Sequence, residues 1–203
     1  NSLIALKILR YLIFMIPISL VLGSVILNIN LILILLSFSF LIIFNKDSRV
    51  FFKSDWVYVG LIIYFFQIVS TLVNEFYLDS LIRSISFIKF IILAVCLDIV
   101  FCENKKNLEN FLKILFAVLV FILIDSSIQY YFGKNLLGYP GDDGRLTSIF
   151  NNEYIVGSFI SKVGFLVTPI FLKIFIRQKY LNFALMIWLI YLSYSVLITG
   201  ERM

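Results

Sequence analysis

Histidine is absent from the 203 residues of this sequence, so the imidazole groups that most often serve as catalytic bases or metal ligands are missing. Cysteine is nearly absent. Cys96 and Cys102 lie six residues apart, which places them on different faces of a helix, and the sequence contains no Cys-x-x-Cys motif. We therefore expect both cysteines to be structural, and the sequence predicts neither a metal site nor a cofactor.

Charge is also scarce. Only 14% of the residues are charged, against about 25% in soluble domains, and the mean hydropathy is +1.04. These values exclude a soluble core. The apolar runs are continuous rather than alternating, which favours helices that cross a ~30 Å hydrocarbon layer over a transmembrane barrel. The sequence predicts an all-α, polytopic transmembrane helix bundle that forms a single domain over 1–203. Seven membrane segments are expected at about 8–25, 27–44, 56–74, 81–101, 111–132, 154–176 and 181–199.

The two ends of the sequence suggest a fragment. Residue 1 is Asn, and the sequence stops at Met203 just as a new polar segment begins. We expect an N-terminal part of a larger bundle. Lys7 and Arg10 flank the first apolar run, but no small-residue cleavage site follows it, so a removable signal peptide is not expected.

The basic residues predict the orientation. They stand in short groups beside apolar runs, which is typical of membrane proteins and not of nucleic-acid partners. With a cytoplasmic N-terminus, eleven of the seventeen lysines and arginines fall on the cytoplasmic side: Lys7, Arg10, Lys46, Arg49, Lys53, Lys105, Lys106, Lys113, Lys173, Arg177 and Lys179. The loop at 133–153 and the terminus at 200–202 then share the outer face.

A polar island occupies residues 141–153 of that outer loop. Arg145 has glycine at 141 and 144 beside it, which permits tight turns. Asn151 and Asn152 are candidate caps of the sixth helix, and helix N-termini bind phosphate. Glu153 then falls in the first turn, where it is a plain capping acid, a base or a group that orients an arginine.

Four further charges lie within predicted helices, where a charge costs free energy and marks either function or an internal pair. Lys89 and Asp125 are predicted to form a structural ion pair. Lys162 lies on a helix with a small-residue face, so we expect it to point into the bundle. Arg83 is either a snorkelling anchor or a ligand of substrate. Four cations are thus expected to converge near the outer face, which suits a lipid diphosphate: Arg83, Arg145, Lys162 and Arg202.

Three segments carry a resemblance to a known family. The first, at 125–135, reads Asp-Ser-Ser-Ile-Gln-Tyr-Tyr-Phe-Gly-Lys-Asn. The second, at 144–153, reads Gly-Arg-Leu-Thr-Ser-Ile-Phe-Asn-Asn-Glu and is followed by Gly157. The third, at 199–202, reads Thr-Gly-Glu-Arg. In order and spacing they resemble the O-antigen ligase and O-antigen polymerase superfamily, polytopic bacterial glycosyltransferases of the GT-C type.

The resemblance implies a metal-independent, inverting transfer in lipopolysaccharide or other polysaccharide biosynthesis, at the periplasmic face of the inner membrane. The donor would be a glycan on undecaprenyl diphosphate, and the acceptor a glycan or the lipid A core. Arg145 and Arg202 would hold the diphosphate, with Arg83 and Lys162 as further ligands. Arg145, Glu153 and Arg202 are the candidate catalytic residues.

Two alternatives remain open at this point. A polysaccharide or lipid transporter or flippase would use the same buried charges as a path, but should show paired broken helices and internal symmetry, which the sequence does not reveal. A non-catalytic membrane scaffold would tolerate replacement of Arg145 and Arg202.

The predicted orientation can be measured with reporter fusions. Alkaline phosphatase needs its disulfides, which form outside the cytoplasm. We expect a fusion after Lys134 to be active and a fusion after Lys106 to be inactive. If only the fusion after Lys106 were active, the orientation would be the reverse of the predicted one.

Overall fold

The computed structural model describes residues 2–44, 54–73, 77–141, 145–150, 155–175 and 181–200. Nine α-helices lie in these ranges. They are α1 (Ser2–Phe14), α2 (Ile16–Leu22), α3 (Ser24–Phe44), α4 (Asp55–Leu72), α5 (Tyr77–Ser86), α6 (Ile88–Glu103), α7 (Lys105–Phe132), α8 (Val156–Phe175) and α9 (Leu181–Ile198).

The helices confirm an all-α, multi-pass membrane protein. Among the described residues, six stretches are long and apolar enough to cross a membrane, one of them made of α5 and α6 together. The pair α1 and α2 is bent by 44° and makes a seventh span if it is counted as one. These spans match the seven predicted segments to within a few residues, except that the fifth begins at Lys105 instead of 111.

The chain divides into two compact units, which we describe separately. Unit 1 comprises Asn1–Ile16 and Leu27–Asn107, and unit 2 comprises Pro17–Ile26 and Leu108–Met203. The single domain expected over 1–203 stays a prediction.

Unit 1 is held together by apolar packing and a few buried amides. The amide of Asn30 on α3 donates to the carbonyl oxygen of Leu12 on α1 at 3.2 Å. The amide of Asn107 donates to the carbonyl oxygen of Val100 at 2.8 Å, across the turn from α6 to α7. Both contacts follow the rule that polar groups within a membrane pair inside the protein.

The fourth span of unit 1 is interrupted. α5 ends at Ser86 and α6 begins at Ile88, with Phe87 between them. The hydroxyl of Tyr64 on α4 donates to the carbonyl oxygen of Ile85 at 3.4 Å, just before the interruption. The tyrosine hydroxyl thus supplies a donor to a backbone carbonyl where the regular hydrogen bonds of the helix are interrupted. Neither proline nor glycine occurs at 84–90, so the sequence does not predict this interruption.

Unit 2 is built around α7, α8 and α9. Its core contains Leu119 and Ile122 from α7, Ile160 and Val167 from α8, and Trp188 from α9. The indole of Trp188 stacks on Phe171, with ring centroids 4.8 Å apart, and its Nε1 donates to the hydroxyl of Thr168 at 3.3 Å. The polar edge of the tryptophan is therefore paired within the bundle.

α8 and α9 approach closely at Gly164. A Cβ atom added there would lie 3.0 Å and 3.1 Å from the two Cδ atoms of Leu192. Small residues allow this kind of close helix packing in membranes. The predicted small-residue face of α8 is thereby confirmed at this position.

Gly164→Ala tests this packing. In an open helical position, replacing glycine with alanine stabilises by about 1 kcal/mol. At Gly164 the contact with Leu192 opposes that gain, so we expect a lower melting temperature than for Gly60→Ala, where the added Cβ would lie 3.8 Å from Ile91. Equal stabilisation by the two substitutions, measured by thermal unfolding in detergent, would contradict the close approach.

Candidate functional site

The loop that follows α7 folds back on itself. Gly133 and Gly138 have positive φ angles of 74° and 86°, a conformation that glycine adopts without steric cost. Lys134 and Pro140 form an antiparallel bridge, and Gly141 N–H donates to the carbonyl oxygen of Gly133 at 3.2 Å. The loop at 133–141 is therefore a compact turn at the end of α7.

Unit 2 buries an unusual number of polar side chains near this loop. Asp125 and Ser148 have no exposed surface, Gln129 is 1% exposed, Thr147 3% and Asn135 5%. Burying such groups costs free energy unless each is hydrogen-bonded. Among the described residues, no buried side-chain nitrogen or oxygen lacks a partner. We call these five residues the polar cluster.

Gln129 is the most connected member of the polar cluster. Its Oε1 accepts the backbone N–H of Thr147 at 3.0 Å and that of Ser148 at 2.7 Å. Its Nε2 donates to the hydroxyl of Thr147 at 3.2 Å and to the carbonyl oxygen of Tyr139 at 3.5 Å. One carboxamide on α7 thus joins the 133–141 loop to the segment 145–150.

Asp125 lies one helical turn before Gln129, so both side chains share a face of α7. Its Oδ1 accepts the backbone N–H of Leu136 at 2.9 Å, and its Oδ2 accepts the hydroxyl of Ser148. Its partners within unit 2 are thus a backbone N–H and a hydroxyl, whereas we predicted an ion pair. Lys89 belongs to unit 1, where its Nζ lies 5.3 Å from the ring centroid of Phe90, and the Lys89–Asp125 ion pair stays a prediction.

Asn135 completes the polar cluster. Its Nδ2 donates to the carbonyl oxygen of Ser148 at 2.5 Å, and its Oδ1 accepts the N–H groups of Leu137 at 3.1 Å and Tyr139 at 2.8 Å. Ser148 is therefore held at its N–H, its carbonyl and its hydroxyl by three different side chains. It has a φ angle of 48°, which L-residues rarely adopt.

Arg145 begins the segment that the polar cluster holds, and it is partly exposed. The next residue, Leu146, is buried and donates its N–H to the carbonyl oxygen of Thr199 at 3.2 Å. Gly200 follows with a φ angle of 65°, as in a left-handed cap of α9. The structure thus brings together residues of all three motifs identified in the sequence. The first contacts the second through Gln129 and Thr147, and the second contacts the third through Leu146 and Thr199.

The other predicted site residues lie elsewhere or outside the described ranges. Lys162 is exposed on α8, whereas we expected it to point into the bundle. Within α8 the core-facing side chains include Ile160 and Val167, and a helix of 3.6 residues per turn places Lys162 off that face. Arg83 is exposed on α5 of unit 1.

Glu153 and Arg202 lie outside the described residues, as do Asn151 and Asn152. The convergence of the four cations stays a prediction.

A cavity of about 300 Å³ opens between α8 and α9. Its walls are apolar apart from the hydroxyl-bearing residues Ser161 and Ser193, and no predicted cation lines it. Because the cavity lacks charge, it offers nothing to bind a diphosphate, and we place the candidate site at Arg145 instead.

The described residues contain no group of three or more His, Cys, Asp or Glu side chains that could hold a metal ion. The charged group at the candidate site is the guanidinium of Arg145. A guanidinium is a planar fork of N–H donors that matches phosphate oxygens.

Sequence reasoning did not select the polar cluster as a functional unit. Gln129, Asn135, Thr147 and Ser148 were absent from the candidate site residues. One sequence feature does point to them, since the i, i+4 spacing of Asp125 and Gln129 places two expensive polar groups on one face of a membrane helix. Their partners lie 10 to 23 residues away in sequence, which no local pattern predicts.

No protein-family profile matches the chain, and neither does any curated protein or solved structure.

Asp125→Ala tests the polar cluster. The substitution leaves the N–H of Leu136 and the hydroxyl of Ser148 without their acceptor, and each unsatisfied buried group costs about 1–3 kcal/mol. We expect a melting temperature lower by several degrees in detergent. Asp98→Ala is the matched control, because Asp98 lies on α6 and accepts a hydrogen bond from the Cys102 thiol at 3.3 Å, one turn away on the same helix. Equal melting temperatures for the two variants would contradict the assigned role.

Proposed function

We propose that this protein transfers or polymerises a glycan carried on undecaprenyl diphosphate, at the periplasmic face of the bacterial inner membrane. The observation that carries the proposal is the position of Arg145. It stands in a segment fixed by the buried polar cluster, and the next residue is hydrogen-bonded to the end of α9, the helix that leads to Arg202. An arginine held in this way suits a diphosphate that approaches from the membrane.

The proposed reaction is a displacement at the anomeric carbon of the donor sugar. A hydroxyl oxygen of the acceptor forms a bond to that carbon, and the bond from the carbon to the diphosphate oxygen breaks. The hydroxyl proton passes to a base, for which Glu153 is the candidate within this sequence. Undecaprenyl diphosphate leaves, and the configuration at the anomeric carbon inverts.

The contribution of Arg145 is electrostatic. Negative charge grows on the diphosphate oxygens as the bond to the sugar breaks. A preorganised cation that meets this charge lowers the barrier, and the loss of one such contact costs about 3 kcal/mol, or on the order of 10²-fold in rate. The partners required are the lipid-linked donor, a glycan or lipid A-core acceptor, and the surrounding lipids.

Two interruptions favour a transporter or flippase as the second candidate. The first span is bent by 44° between α1 and α2. The fourth is interrupted at the single residue Phe87, between Arg83 and Lys89, although it continues as one span. Broken helices near charges occur in transporters. Transport moves the lipid-linked glycan without forming a new glycosidic bond, so product analysis separates the two functions.

The test is glycosyl transfer by the purified protein in lipid nanodiscs, with a lipid-linked glycan and an acceptor. We expect Arg145→Ala to lower kcat/KM on the order of 10²-fold. Arg145→Lys should also be impaired, because an ammonium lacks the planar fork. Lys134→Ala is the control, since Lys134 is an exposed cation of the adjacent loop.

Three outcomes would count against the glycosyltransferase. Movement of donor across the bilayer without a new glycosidic bond would favour the transporter. Full activity of Arg145→Ala would remove Arg145 from the site. Abolition of transfer by a chelator would contradict the metal-independent reaction.

A further inference from the structure

We propose that Gln129 is a positioning residue, which sets the place of the Arg145 guanidinium by holding the backbone two and three residues further along the chain. This inference rests on the proposed function, because it concerns how Arg145 meets a diphosphate. It assigns a role in the reaction to a side chain that touches no substrate.

The chemistry of a carboxamide suits this role. Two lone pairs on Oε1 accept two successive N–H groups, those of Thr147 and Ser148, while Nε2 donates to the Thr147 hydroxyl and to the carbonyl of Tyr139. A carboxylate supplies no donor, and an ammonium supplies no acceptor. Of the common side chains of this length, only glutamine makes all four contacts.

The backbone at Ser148 depends on these contacts. Its φ angle of 48° brings Cβ close to the carbonyl oxygen, so an isolated L-residue avoids it. A conformation of this kind persists when its surroundings over-determine it. At Ser148 the surroundings are the side chains of Gln129, Asp125 and Asn135.

Arg145 is fixed from two directions. Thr147 is bound by Gln129 on α7, and Leu146 is bound by the carbonyl of Thr199 at the end of α9. Arg145 directly precedes Leu146 in the chain, so the two hydrogen bonds together restrict where the Cα of Arg145 lies. A displacement of about 1 Å at a catalytic group costs on the order of 10²-fold in rate, and release of the Gln129 anchor is sufficient to allow one.

A double-mutant cycle tests the proposal. Gln129→Met keeps the length, the volume and the helix propensity of the side chain but removes its hydrogen bonds. In the otherwise wild-type protein we expect kcat/KM for the lipid-linked donor to fall on the order of 10²-fold. In an Arg145→Ala background we expect Gln129→Met to cause no further loss, because the residue acts through Arg145. If Arg145→Ala is too slow to measure, Arg145→Lys serves as the background.

Hydrogen exchange of the intact protein in nanodiscs provides the structural readout. Gln129→Met should speed exchange in the peptide that contains 145–150 and leave protection around Trp188 unchanged. Ser126→Ala is the matched control, since Ser126 is buried on the same helix and donates to the carbonyl of Ile122 within that helix at 2.7 Å. It should leave both exchange and kcat/KM at wild-type values.

If Gln129→Met fails to fold, Thr147→Val removes a single hydrogen bond of Gln129, and Thr147→Ser restores the hydroxyl. We expect a smaller loss of kcat/KM for the valine variant and recovery for the serine variant.

Three results would overturn the proposal. One is an equal fold-decrease in kcat/KM when Gln129→Met is introduced into the wild-type protein and into the Arg145 variant, because a merely structural role acts independently of Arg145. Another is faster exchange at 145–150 with unchanged kcat/KM. The third is the absence of product with wild-type protein, which would overturn the proposed function itself, whereas the first two leave that function standing.

Discussion

A hydrocarbon layer contains no water, so polar groups inside it must find hydrogen-bond partners within the protein. The structure of unit 2 depends on this constraint. Asp125 and Gln129 stand on a membrane-spanning helix, and neither can stay unpaired there without a cost of several kcal/mol. Their partners are backbone groups of the loop that follows α7 and of the segment 145–150. The need to satisfy two helical side chains therefore dictates the conformation of two segments that lie outside the α-helices.

This arrangement separates the groups that build the site from those that act in it. Gln129, Asp125 and Asn135 use their hydrogen-bonding capacity on the protein itself, which leaves them little to offer a substrate. Under the proposed function, chemistry falls to groups at the border of the polar cluster. Arg145 is partly exposed at that border. A cation there combines a rigid support with access, a combination that neither a buried lysine nor a free loop arginine has.

The sequence was sufficient to predict the membrane spans, but not to predict the side-chain contacts of the candidate site. Hydropathy predicts helices such as α3 and α9 because a continuous apolar run in lipid has one inexpensive conformation. It did not predict the interruption at Phe87, where neither proline nor glycine marks the backbone. Burial of Asp125 could be anticipated from cost alone, but its contact with Ser148 spans 23 residues, and only the fold creates such proximity. The prediction for Lys162 relied on the small-residue face of α8. It overlooked that Ile160 and Val167 face the core, and their helical phase places the lysine on the exposed side.

The two anchors of the Arg145 segment differ in chemical kind, and the difference matters for how the site is held. The contact between Leu146 and Thr199 joins two backbones, so side-chain replacement does not remove it. The contacts with α7 are made by the side chains of Gln129 and Asp125, and their lengths and chemistry determine where the segment lies. The backbone contact thus fixes the spacing between the Arg145 segment and the end of α9, while the side-chain contact sets the distance of both from α7. Within unit 2, the place of the segment at 145–148 accordingly depends on side chains of a helix to which Arg145 does not belong.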